Sequence, residues 1–423
     1  MRSWERTRGT SIAPAASAGD EPIPALELFD SARAWWMVGA AFTAMFAVYG
    51  VAYSFGAFFK PMALEFGAPR SATSAVFSIT VLVWATLGPV TGHLSDRFGP
   101  RVVVATGGVV MGVGLALTAA IDLLWMAYVT YGLGVGVGIA CAYVPMVAVV
   151  GGWFIRRRNT ALGIAVAGIG FGTVCGAPIA AALIARLGWR ETYIVFAAAT
   201  VAILFGCAWV AQRPPVHVTV SPIRFGAAIR TPAFGFLYAS SVTVSMSLFV
   251  PFVYLPSFAH DRGASELASA ALVGVIGGAS VAGRMGLGAL ADRAGVVRLY
   301  QASFLVLALS YGIWLAASFA PAGGYSTLVI FALTMGAGYG GYVALSPAVI
   351  AHLFGTQRMG TVLGVLYTSG GFGAMVGPPL VGMIIDRTGS YRIAIAAAFA
   401  VAMCAFALLI PLTSRQHQVA ESG

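Results

Sequence analysis

The stretch Ser280–Arg298, SVAGRMGLGALADRAGVVR, holds two unlike features. Arg284 is a fixed positive charge inside a run that is otherwise apolar from about Ala268 to Ala291. A few residues on, Gly288-Ala-Leu-Ala-Asp292-Arg293-Ala-Gly295 makes a turn rich in Gly and charge. The same turn occurs early in the chain as Gly92-His-Leu-Ser-Asp96-Arg97-Phe-Gly99. A charge in the middle of lipid is costly and marks a functional position. Beside an element that repeats after nearly half the chain, it points to a duplicated membrane protein with a site between its halves.

The composition around that stretch agrees. Of 423 residues, 59% are apolar and only 9% charged, with a mean hydropathy of +0.88. A run of about 20 apolar residues spans a bilayer, and such runs fill nearly the whole chain. The 53 glycines sit among Val, Leu, Ile and Ala, which fits close helix–helix approach in lipid. Cys141, Cys175, Cys207 and Cys404 all fall inside apolar runs and form neither a disulfide framework nor a zinc motif. The net charge of +10 comes from 23 arginines and a single lysine, Lys60. In a chain this apolar it reads as a topology signal, not as a surface for nucleic acid. No nucleophile–base pair, metal cluster or phosphate loop is visible, so neither an enzyme nor a bound cofactor or metal is expected.

Taken in order, residues 1–33 are a polar tail without the short apolar core of a cleaved signal peptide. Residues 34–211 hold six spans, the first flanked by Trp35 and Trp36 at the interface. Residues 212–231, with Pro214, Pro215 and Pro222, are a polar linker, residues 232–412 hold six more spans, and 413–423 are a polar tail. The expected fold is all-α, twelve transmembrane helices in two pseudo-symmetric six-helix bundles. Arginines gather on one side (Arg97, Arg101, Arg156–Arg158, Arg213, Arg224, Arg230, Arg293). This places both termini in the cytoplasm by the positive-inside rule.

The repeat extends well beyond the opening pair. Leu162-Gly163, Gly170-Phe171-Gly172, Gly176-Ala-Pro178, Ile184, Arg186 and Gly188 align without gaps on Leu363-Gly364, Gly371-Phe372-Gly373, Gly377-Pro-Pro379, Ile385, Arg387 and Gly389. Gly134, Gly136, Gly138 and Pro145 likewise find counterparts in Gly336, Gly338, Gly340 and Pro347. The halves are parallel repeats of six helices.

By these residues the chain resembles the major facilitator superfamily from about Ala34 to Thr413, with Gly92–Arg101 similar to its loop 2–3 signature. Within it, Trp153-Phe-Ile-Arg156-Arg157-Arg158 through Gly168 and Leu248-Phe-Val-Pro251-Phe-Val-Tyr254-Leu-Pro-Ser257 resemble the monocarboxylate carriers and their oxalate/formate relatives. The resemblance matches Arg284 to the helix-8 arginine that binds a substrate carboxylate. It implies gating roles for Asp96, Arg97, Arg101, Asp292 and Arg293. The chain departs from the pattern at Asp30-Ser-Ala-Arg33-Ala-Trp35, at Ser280 in place of an Asp, at Tyr53 in place of a helix-1 lysine, and at Gly370 in place of a second cation.

A guanidinium binds a carboxylate in a two-pronged geometry and keeps its charge at working pH. The alternative role for Arg284 is a structural tie to backbone carbonyls, or snorkelling. Aromatics positioned to line the same cavity are Tyr49, Tyr53, Tyr131, Tyr143, Tyr339, Tyr342, Tyr367 and Phe372, with hydroxyls from Ser241 and Ser245. The expected substrate-binding set is Arg284, Tyr143, Tyr342, Tyr367, Ser241 and Tyr53. The resemblance implies a carrier of small monocarboxylates such as lactate or pyruvate, by alternating access, with the bilayer, a carboxylate and a proton as partners. Alternatives are an organic-anion exchanger, an aromatic-acid importer, a drug-efflux antiporter and a non-transporting receptor. The expected location is an inner (plasma) membrane of bacterial type.

Overall fold

The computed structural model describes residues 29–213, 230–319, 324–354 and 359–412. Most of both expected tails and of the expected linker, and the side chains of Asp292 and Arg293, lie outside the described residues. The described chain is all-helical, because apolar segments in lipid must satisfy every backbone polar group internally.

Among the described residues twelve helices are long and apolar enough to cross a membrane. They are α1 (Ala32–Glu65), α2 (Arg70–Phe98), α3 (Pro100–Thr118), α4 (Leu124–Trp153), α5 (Thr160–Leu187) and α6 (Trp189–Val210). The second six are α7 (Pro232–Asp261), α8 (Glu266–Leu287), α9 (Val296–Phe319), α10 (Tyr325–Phe354), α11 (Val362–Thr388) and α12 (Tyr391–Leu412). Within the first six, α1 packs on α4 and α5, and α3 on α4 and α6; within the second, α10 packs on α8 and α9, and α7 on α11. Two seams join the bundles, α2 against α11 and α5 against α8.

Four tight junctions repeat one turn. Gly99, Gly188, Gly295 and Gly389 have φ of 92°, 91°, 85° and 65°, a left-handed backbone that only glycine adopts without penalty. They join α2 to α3, α5 to α6, α8 to α9 and α11 to α12. Three of them follow an Asp-Arg pair: Asp96-Arg97, Asp292-Arg293 and Asp386-Arg387. The third copy escapes a reading of the sequence as two halves, because it lies on the opposite face of the bundle. Triplets of helices therefore recur within each half.

Helices α1 and α7 are both broken near the same depth, α1 at Ser54 and α7 at Phe249. The outer halves of the two meet across the bundles. A Cβ on Gly56 would lie 2.5 Å from the Phe252 carbonyl oxygen, so glycine is what allows the approach. At the start of α1, Asp30 takes φ 53° and accepts from the backbone N–H groups of Ile155, Arg156 and Arg157 at 3.4, 3.1 and 3.1 Å. These bonds, the Arg156 one foremost, hold its carboxyl below the ordinary range. Asp30 thus pins the start of α1 to the loop before α5.

Candidate functional site

The face opposite the termini, the far face, is shut in layers. Outermost, Lys60 Nζ on α1 lies 3.0 Å from Asp261 Oδ1 and 3.1 Å from His260 Nδ1 on α7. On the other seam, the Asp386 carboxylate of α11 accepts from the Arg70 and Ser71 backbone N–H groups at 3.1 Å each, and from Ser71 Oγ at 3.0 Å. Helix α2 has no side-chain cap of its own at Pro69. Asp386 supplies that cap from the other bundle, with its charge at the positive end of the helix dipole.

Beneath the polar layer lies an aromatic one. Tyr53 stacks on Phe252 with ring centroids 4.4 Å apart, and its hydroxyl lies 3.2 Å from that of Tyr339. Phe59 meets Tyr254 edge-on at 5.1 Å. Toward the termini the contacts change character. Asp96 is exposed. Arg101 Nε donates to the Ala211 carbonyl at 2.8 Å and Arg213 to the Arg97 carbonyl at 2.9 Å, all within the first bundle. The Arg97 guanidinium sits over its own neighbour Phe98. Among the described residues, Asp96, Arg97 and Arg101 thus make no bridge across the bundles.

Arg284 lies between these regions, on the α8 face toward α5 and α10. Its Nη1 makes one long bond, 3.4 Å, to the Val166 carbonyl on α5, and its guanidinium carbon is 5.7 Å from the centre of the Tyr339 ring. Its Nε is buried without a hydrogen-bond partner, and among the described residues no ion pair includes it. A charged group left this short of partners in a membrane interior is costly. It is also poised to accept an anion.

The surrounding tyrosines divide into two sets. Tyr49, Tyr53, Tyr143 and Tyr367 all lie within electrostatic range of Arg284. Tyr143 and Tyr367 are only half-buried although they face the interior, which marks open space between the bundles. Nothing would lie within 4 Å of a Cβ on Gly370, three residues beyond Tyr367. Tyr342 instead turns toward α9, with Tyr300 and Phe304 at 6.0 and 5.4 Å. Its hydroxyl sits beside Ser241, Ser245 and Ser369. The buried hydroxyls of Ser241, Ser245 and Tyr300 have no partner of good geometry. These residues form a layer behind the Arg284 space, with Tyr367 in electrostatic range of both. Tyr131 is elsewhere: it falls in a π-helical turn of α4 and donates to the Val51 carbonyl at 3.3 Å, inside the first bundle. Phe372 is half exposed, while its neighbour Gly371 faces Leu82 and Ala85 on α2.

One wall residue had no signal in the sequence. Trp84 on α2, in an unbroken apolar run, meets Tyr49 at 5.3 Å, Tyr53 at 6.1 Å and Phe249 of the other bundle at 6.2 Å. A separate crevice of about 370 Å³, lined by Phe258, Arg262, Tyr325 and Leu328, opens at the far end of the second bundle, away from Arg284.

Comparison with known proteins follows the same lines. A family model described as Major Facilitator Superfamily matches residues 41–378, and again 287–422. Among curated relatives, monocarboxylate transporter 13 of Bos taurus is 29% identical over 393 residues, covering 90% of each chain. Monocarboxylate transporter 3 of Rattus norvegicus is 29% identical over 378 residues, covering 86% of this chain and 76% of its own. Among solved structures, a bacterial homologue of the human lysosomal transporter Spinster, in an inward-facing and occupied conformation, superposes with a TM-score of 0.71. It is 18% identical and covers 89% of this chain and 96% of its own. A mutant of the nucleoside transporter NupG gives a TM-score of 0.73 at 12% identity, over 90% and 99% of the two chains. At these identities the structures speak to the fold alone.

Proposed function

The chain belongs to the major facilitator superfamily, and within it we propose a secondary carrier of small monocarboxylates, working by alternating access of its two bundles. The observation that carries this reading is Arg284, an interior guanidinium with one long backbone bond, an unpartnered Nε and half-buried tyrosines around it. A carboxylate supplies the missing acceptor in a charge-assisted, two-pronged contact. Relatives named monocarboxylate transporters, alike over most of their length, favour the same class. In this reading the termini are cytoplasmic and the shut far face is external, in a plasma membrane of bacterial type. Arg284 binds the carboxylate, Tyr53 roofs the chamber, and Tyr143 and Tyr367 line it. Tyr342 and Ser241 back it.

The described carboxylates of the spans lie in their end turns, as Glu65, Asp261, Glu266 and Asp386 do. The proton therefore travels with the anion as symport, or one anion is exchanged for another. Uptake of labelled carboxylates by proteoliposomes, with and without a pH gradient, tests the reading. At least one monocarboxylate should accumulate, and uptake confined to cations or neutral solutes overturns it.

Charge number gives a sharper expectation. Among the described residues Arg284 is the cation within electrostatic range of Tyr49, Tyr143 and Tyr367, and Gly370 faces open space where a second would stand. An unpaired second carboxylate in a partly dehydrated chamber costs several kcal/mol, of order 3. Oxalate and malonate should therefore compete at least about tenfold less well than the best monocarboxylate. Equal competition by oxalate counts against a single-cation site.

The latches give another. If Asp386 closes the far face in this state and Asp96 closes the opposite face in the other, their neutral variants act in opposite directions. Removing a charged cap shifts a two-state balance by about 0.5–2 kcal/mol. With a Phe252→Cys reporter, Asp386→Asn should raise labelling by an impermeant thiol reagent from the far side several-fold. Asp96→Asn should leave it unchanged or lower it. Equal labelling in Asp386→Asn and its parent refutes the latch.

A further inference from the structure

We infer that the substrate is an aromatic monocarboxylate, its ring held among Tyr49, Trp84 and Tyr143 while its carboxylate meets Arg284; this rests on the carboxylate reading above. The chamber is built of ring surface to a degree that a two- or three-carbon acid would not use. Tyr49 stands edge-on to Trp84 at 5.3 Å and 67°, and edge-on to Tyr143 at 6.0 Å and 83°. Trp84 is edge-on to Phe249 at 6.2 Å and 72°. Aromatic pairs favour this T-shaped arrangement at centroid spacings of about 4.5–7 Å, so a substrate ring extends a network already set at the right pitch.

Two of these side chains are not fully covered. Trp84 and Tyr143 are only half-buried. Trp84 touches α1 and the opposite bundle through Tyr49, Tyr53 and Phe249, which places its ring where the two bundles meet. Tyr143 has the Arg284 charge in range. Overhead, the Tyr53–Phe252 stack and the Tyr53–Tyr339 contact close the space with more ring surface.

Lactate bound at Arg284 would leave the faces of Trp84 and Tyr143 against water. A phenyl group covers them, and each buried CH₂-sized unit strengthens binding by roughly fourfold before ordering costs. The wall explains the choice of a ring over an alkyl chain, since edge-to-face contacts add to plain burial.

Titration calorimetry on the purified full-length protein tests this with lactate, phenylacetate and cyclohexylacetate, on the parent chain and on Trp84→Leu, Trp84→Phe and Arg284→Ala. Phenylacetate should bind at least tenfold tighter than lactate and several-fold tighter than cyclohexylacetate. Trp84→Leu should erase most of that preference, Trp84→Phe should keep much of it, and Arg284→Ala should weaken all three acids. Lactate equal to phenylacetate on the parent chain, with binding still lost in Arg284→Ala, overturns the aromatic assignment and leaves the carboxylate reading standing. Cyclohexylacetate equal to phenylacetate overturns it too, leaving a merely apolar chamber. Binding of all three acids unchanged in Arg284→Ala overturns both. The parent-chain ranking decides the matter even if a Trp84 variant does not fold.

Discussion

Arg284→Ala is expected to abolish carboxylate transport while leaving a protein that inserts and folds. The guanidinium makes one 3.4 Å bond to the Val166 carbonyl and leaves its Nε unpartnered, so little of the fold depends on it. Removing an unpaired interior charge relieves a cost and should raise thermal stability slightly. For the substrate the same change removes two charge-assisted hydrogen bonds worth about 1.5–3 kcal/mol each, a fall on the order of 100-fold or more in affinity. Arg284→Lys separates charge from shape. The ammonium keeps the field felt by Tyr49, Tyr143 and Tyr367 but loses the planar fork, and should recover only a small part of the transport. Initial uptake rates beside a thermal melt of each variant check both halves of the claim. Near-normal affinity in the alanine variant would remove Arg284 from the site, and a collapsed melt would make it a structural tie.

The fold was legible in the sequence because lipid imposes a coarse rule. Spans must be long, apolar and helical, and the repeat is carried by glycines and prolines whose spacing survives between the halves. Arg284 stood out for the same reason, since a charge in such a run is costly and calls for a partner. What was not legible depends on which helices meet. Trp84 is one apolar residue among many until α7 of the other bundle brings Phe249 to it. Asp386 reads as the end of a span until its oxygens are seen on backbone N–H groups more than three hundred residues earlier. Tyr342 and Ser241 sit at suitable depth, but rotation about their helix axes sets them behind the chamber. Depth follows from counting along a span, whereas facing needs the packing.

Asp386 and Asp96 are copies of one element, and under the proposed alternation each serves a different state. Both precede an arginine and a positive-φ glycine at a helix junction, one on each face. In this state Asp386 is engaged across the seam and Asp96 is exposed. A charged cap loses its worth once the helix end it serves moves away, since the dipole's effect falls off within about a turn. If Asp96 caps a helix end on its own face in the other state, as proposed, one cap is engaged in each state, which disfavours a chain open at both ends.

Gly340→Val should disable the carrier through the backbone beside Arg284. Helix α10 crosses α8 so closely that a Cβ on Gly340 would meet the Ser280 carbonyl oxygen and lie 2.9 Å from the Arg284 amide nitrogen. Both are main-chain atoms of a helix and cannot swing aside, unlike the tip of a side chain. Valine forces the two helices apart, an overpacking that costs roughly 1–3 kcal/mol or more, and Arg284 moves with its backbone. The guanidinium then shifts relative to Tyr143 and Tyr367 on other helices, and affinity should fall on the order of 10- to 100-fold, with the thermal midpoint lowered. Gly364→Val is the control, because a Cβ there meets nothing within 4 Å; its melt and uptake should stay close to the parent. The sizes should rank Gly, Ala, Val at position 340, since even a methyl group meets the Ser280 carbonyl. Uptake in Gly340→Val equal to that in Gly364→Val would mean that α8 can yield at this crossing without moving the anion site.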